Sequence, residues 1–78
     1  MKNYKILMKT IDDIKLFAAA ASLCDADIDL SSGRYVVDAK SIMGIFSLDL
    51  SRPITLSVPE EFDDSAFLAA IQKLIVTG

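Results

Sequence analysis

Apolar and polar residues alternate in short bursts along this chain, and the period of that alternation changes from one stretch to the next. Tyr4 to Met8 is a brief run of aromatic and aliphatic residues bounded by lysines and predicts a first strand. From Ile11 onward, Ile14, Phe17, Ala18 and Ala21 recur at spacings of three and four, which is one face of a helix. The alanines from Ala18 to Ala21 favour helix intrinsically, and the helix is expected to end near Cys24-Asp25. Its start is well marked. Thr10 can cap the first free amides, and Asp12 and Asp13 suit the positive end of the helix dipole.

Two strand-like runs follow, Asp27 to Leu30 and Arg34 to Asp38, separated by Ser31-Ser32-Gly33, a turn in which Gly33 is expected at positive φ. These strands should pair antiparallel. The run Ser41 to Leu48 places Ile42, Met43, Ile45 and Phe46 around a short helix, too many apolar residues for one buried stripe. Ser51-Arg52-Pro53 ends it, Ile54 to Val58 supplies the last strand, and Asp63 or Asp64 can cap a final helix. That helix carries Phe67, Ala70, Ile71, Leu74 and Ile75 on one stripe. The order βαββαβα predicts an α+β fold: one domain over residues 1–78, with a four-stranded, mainly antiparallel sheet and helices on one face. The other sheet face should be wet and polar.

Composition narrows the functions this fold could serve. A chain of 78 residues buries only roughly 60–65% of its unfolded surface, so stability must come from one efficient core. With 53% hydrophobic residues that core is affordable in composition, and the few glycines and prolines leave little for linkers. A net charge of −3, from 8 basic and 11 acidic side chains, argues against nucleic acid as a partner. The single cysteine, Cys24, excludes an internal disulfide and fits a reducing, cytoplasmic setting. No signal-peptide core or bilayer span is expected from the N-terminal residues or from the alanine-rich run Leu16 to Leu23.

The segment Ala21 to Leu30, and after it Lys40-Ser41-Ile42-Met43-Gly44-Ile45-Phe46-Ser47-Leu48, resembles the middle of HPr, the small phosphocarrier of the sugar phosphotransferase system. Lys40 to Gly44 is the most specific part, and a weaker resemblance continues through Ile54-Thr55-Leu56 into the last helix. The resemblance implies the same βαββαβα open-faced sandwich. Counting back without gaps, the family's phosphorylated histidine falls on Thr10, and its arginine and proline fall on Asp12 and Asp13. The chain contains no histidine at all. A threonine hydroxyl cannot form the phosphoramidate through which family members take phosphate from enzyme I, and two carboxylates in the first turn repel a phosphoryl group. A second departure is the short, glycine-free loop Asp49 to Pro53.

The resemblance also implies that Ser41 matches the serine phosphorylated by HPr kinase in Gram-positive members, where the modified protein meets a catabolite control repressor. A serine before a short helix is equally a plain N-cap, and a phosphate there would add about −1.5 to −2 charges. Ile42, Met43 and Phe46, with Ser47, fall on the helix that family members use for docking, although the same spacing suits a buried face. The expected function is a non-catalytic regulatory or adaptor protein. The alternative is a structural or assembly protein that associates through Ile42, Met43 and Phe46.

Nothing else in the chain points to an enzyme, a cofactor or a metal. Cys24 has no histidine to act as its base and sits beside Asp25, so packing suits it better than nucleophilic chemistry. Asp12, Asp13, Asp25, Asp27 and Asp29 lack the spacing and glycine of a calcium loop and read as caps and solvated strand positions. No zinc spacing, phosphate loop or dinucleotide fingerprint occurs.

Overall fold

The computed structural model describes residues 1–76; Thr77 and Gly78, the end of the expected 1–78 domain, lie outside the described residues. The elements run β1 (Lys2–Ile6), α1 (Ile11–Ser22), β2 (Asp29–Ser32), β3 (Tyr35–Asp38), α2 (Ile42–Phe46), β4 (Ile54–Val58) and α3 (Ser65–Ala70), followed by a 3-10 turn, Gln72–Leu74. The four strands form one antiparallel sheet in the order β1-β4-β2-β3. This is the expected α+β open sandwich.

Alternation of side chains decides what each sheet face meets. Tyr4, Leu56, Leu30 and Val37 lie in one cross-strand row and join the core on the helix side. Lys5, Thr55, Ser31 and Val36 form the row on one side of it, and Asn3, Ser57, Asp29 and Asp38 the row on the other. Those two rows point the other way, because strand residues alternate faces. Lys5 Nζ donates to Thr55 Oγ1 at 2.8 Å and Ser57 Oγ to Asn3 Oδ1 at 2.8 Å, so the expected wet face is also hydrogen-bonded across its strands.

Several boundaries differ from the sequence reading. β1 lies two residues earlier than Tyr4 to Met8, because its register runs from Lys2 opposite Val58 to Ile6 opposite Ile54. Met8 is still buried, as the chain crosses from the sheet to α1. β2 likewise begins at Asp29, not Asp27, and takes in Ser31 and Ser32, so the hairpin turn is Gly33-Arg34 with Gly33 at φ 60°. Ile28 is buried just outside the strand. In both places burial extends beyond the ladder, and an apolar residue alone does not say which of the two it marks.

The helices are shorter than their apolar patterns. α2 covers only Ile42–Phe46, with Ser41 and Ser47 as its caps, so it ends well before Ser51-Arg52-Pro53. α3 stops at Ala70, yet Phe67, Ile71 and Leu74 are all buried, the last within the 3-10 turn. Ile75 then turns extended and bridges Ile6, which a continuing helix could not do. Ala70 is exposed, against the expected stripe.

Asp64 occupies the N-cap position of α3 but makes no capping bond. Its buried carboxylate accepts instead from the Tyr4 hydroxyl at 2.9 Å and pairs with Lys2 Nζ at 3.1 Å. Asp63 takes over locally, its Oδ1 accepting from the Ser65 amide at 3.2 Å. Beneath these contacts Phe17 and Phe67 meet edge to face, 5.8 Å between ring centres, joining α1 to α3.

Candidate functional site

Two helix starts carry the residues singled out by sequence. At α1, Thr10 is extended (φ −132°, ψ 164°), and its Oγ1 accepts from the Asp13 amide at 3.1 Å. Asp13 reaches back, its Oδ2 accepting from the Lys9 amide at 3.0 Å, while Oδ1 lies 3.6 Å from Lys73 Nζ. The reciprocal cap is therefore shifted one residue outward from the usual box, in which the third residue bonds the cap's own amide. The Lys9 amide first, and Lys73 after it, holds the Asp13 carboxyl below its ordinary value. The Asp13 amide at this terminus is already taken by Thr10, and the carboxylates of Asp12 and Asp13 add negative charge where an incoming anion would have to bind.

At α2, Ser41 is again extended (φ −95°, ψ 109°), and its Oγ accepts from the Gly44 amide at 3.2 Å. Ser41 itself is exposed. Ser47 caps the other end, its hydroxyl donating to the Gly44 carbonyl at 2.6 Å, so it is a helix-end residue whose side chain is turned onto the helix. Only Ile45 of the helix is fully buried. Ile42, Met43 and Phe46 are 44%, 80% and 53% exposed, which decides against their being core.

Gly44 explains how so short a helix is seated. A Cβ at this position would lie 3.1 Å from Val37 Cβ, so the missing side chain lets α2 approach β3 closely. Lys40 adds a tie that sequence reasoning missed. Its Nζ donates to the Cys24 carbonyl at 2.7 Å, placing a cation at the negative end of α1, whose own last turn has no basic residue. The lysine of Lys40-Ser41-Ile42-Met43-Gly44 thus fixes α2 relative to α1. The missed signal was the absence of any cation at the end of α1.

Cys24 is buried and its Sγ donates to the Ala20 carbonyl at 3.6 Å. Burial pushes the thiol up from its ordinary value, with Lys40 opposing and Asp25 adding to the effect, so no reactive thiolate is favoured. Among the described residues no group of acids or sulfur could hold a metal ion, and no helix is long and apolar enough to cross a membrane.

Comparison with known proteins decides the family. The family model described as "PTS HPr component phosphorylation site" matches residues 13–77. The chain belongs to the HPr family. Among solved structures it is similar to HPr-C-His from Thermoanaerobacter tengcongensis, at 34% identity over 96% of this chain and 91% of that one, with a TM-score of 0.74. It is also similar to the phosphocarrier protein HPr from Bacillus anthracis, at 28% identity over 94% of this chain and 93% of that one, with a TM-score of 0.69. HPr-family members are phosphocarriers rather than enzymes and work through proteins of the phosphotransferase system. The family match begins at Asp13, so Thr10, Ile11 and Asp12 lie outside it, whereas Ser41 and all of α2 lie inside. The matched span thus takes in α2 and leaves out the first two residues of α1.

Proposed function

We propose that this HPr-family chain is a non-catalytic regulatory or adaptor protein that offers α2 to partner proteins and is controlled by phosphorylation of Ser41. The observation that carries this reading is the exposed Ser41 hydroxyl at the head of a helix whose Ile42, Met43 and Phe46 side chains stand in solvent. Three large apolar groups left in solvent on so short an element suit a surface that a partner protein covers, and an unbranched methionine adapts to more than one partner. The partner classes are those of the resemblance: HPr kinase, enzyme I or a catabolite control repressor. Carrying phosphohistidine is outside the chain's chemistry, since it has no imidazole. Thr10, at the histidine position of the ungapped count, serves as a cap.

Phosphorylating Ser41 would place about −1.5 to −2 charges beside Ile42 and Met43, changing what the surface can bind while leaving the buried Ile45 face in place. The test is to incubate the chain with HPr kinase and ATP and map any mass gain by peptide fragmentation. One phosphoryl group on Ser41, absent from Ser41→Ala, is expected. No gain under conditions that modify a genuine HPr would remove the regulated-phosphosite reading.

A further inference from the structure

The two edges of the sheet are not alike. At its Ile6 end β1 is covered by the chain's own residues 74–76: the Val76 amide donates to the Lys5 carbonyl and the Leu7 amide to the Leu74 carbonyl, each at 2.8 Å. β3, at the far edge, has no such cover among the described residues. Because Ser32 and Tyr35 flank a two-residue turn, they form a hydrogen-bonded pair, and so do Leu30 and Val37. The intervening Val36, and Asp38 after Val37, therefore direct their backbone groups away from β2. Tyr35 and Val36 are 73% and 64% exposed.

The charges on this strand are also unresolved within one copy. Asp38 lies directly opposite Asp29, a like-charge pair on the open face. Arg34 is exposed, and neither it nor Asp38 belongs to a salt bridge among the described residues. Four strand positions separate Arg34 from Asp38, roughly 13 Å, so they cannot pair with each other in one chain.

We propose that β3 is a self-association edge, at which a second copy of this chain adds antiparallel about a two-fold axis through Val36. In that register Val36 faces Val36 and the two exchange both backbone hydrogen bonds. Arg34 of each copy faces Asp38 of the other, so two opposite-charge pairs form and each also offsets an Asp29–Asp38 repulsion. The Asp38 amide adds a bond to the Arg34 carbonyl at each end. The ladder stops there, since the Asp38 carbonyl already accepts from the Ser41 amide at 3.0 Å. Tyr35 falls opposite Val37, on the helix side. The two four-stranded sheets become one. An interface of this size belongs to the weak, transient class, so association appears at high protein concentration. This inference does not depend on phosphorylation or on docking through α2.

Sedimentation equilibrium over a concentration series tests it. The wild type should pass from the mass of one chain toward that of two. Arg34→Asp and Asp38→Arg should each associate at least roughly tenfold more weakly, because each sets like charges opposite one another. An equimolar mixture of the two should regain association, since every charge then meets its opposite. Asp38 also accepts from the Lys40 amide, so its variant is checked for folding by circular dichroism. Val36→Pro gives an independent reading: it removes an outward amide without touching a bond to β2, and association should be lost. A wild type that stays monomeric, a folded mixture that fails to associate, or a Val36→Pro protein that associates normally would each overturn the proposal. So would association that survives Arg34→Asp and disappears in Phe46→Asp.

Discussion

At the scale of single residues, side chains satisfy backbone amides at two helix starts and in the loop before β4, and these bonds contribute to the response to acid. The Asp13 carboxyl is held below its ordinary 3.8 first by the Lys9 amide, while Ser51 does the same for Asp49 and Ser65 for Asp63, each through its hydroxyl first and then its amide. A carboxyl whose folded value is lowered adds stability above its unfolded value, and that contribution is lost as the pH falls through the folded one. The melting temperature should therefore be flat near neutrality and fall as the pH drops below about 3.8. In Asp13→Asn the acid limb should be shallower. Thermal denaturation followed by circular dichroism over a pH series checks both. Thr10 and Ser41 were legible as caps because an N-cap has a local signature in residue type and spacing. The Lys73–Asp13 and Lys40–Cys24 contacts were not, because nothing near either lysine in sequence points to its partner.

Elements were legible to the extent that their periodicity reflects geometry. α1 begins at Ile11 as read, since Thr10 and the spacing of Ile14, Phe17 and Ala21 agree. β4 matches Ile54 to Val58 without change. α2 and α3 were overestimated for one shared reason: Leu48, Ile71 and Leu74 are buried from outside regular helix, so their apolar character prolonged the pattern. What the helices contribute energetically is clearest at the α1–α3 contact. Phe17 is fully buried against Phe67, and Phe17→Ala should cost roughly 3–5 kcal/mol. Typical domains have only about 5–15 kcal/mol in total, so urea unfolding should show a greatly lowered midpoint or no folded baseline.

For the whole molecule, the order of elements and the open sandwich were readable from sequence, and the resemblance was carried by the segment now seen as the end of α1, β2 and α2. Which side of α2 faces water was not readable. That outcome depends on Gly44 against Val37 and on Lys40 at the end of α1, contacts that exist only after folding. The Asp64 cluster is likewise a property of the closed chain, since Lys2 and Tyr4 reach it from residues 62 and 60 positions away. Asp64→Ala leaves the Tyr4 hydroxyl and the Lys2 ammonium without their acceptor. The loss should be roughly 2 kcal/mol in chemical denaturation, and Asp64→Asn, which still accepts a hydrogen bond, should lose less.

The tail segment that lies along β1 has a further effect on assembly. A sheet with two bare margins can go on recruiting neighbours without limit, which is how fibres begin. Here Ile75 and Val76 cover the Ile6 end of one margin from within, which leaves less of that margin open to a neighbour once β3 has paired as proposed. Removing those contacts should bare that margin, and sedimentation of a variant lacking them should then show species larger than a pair.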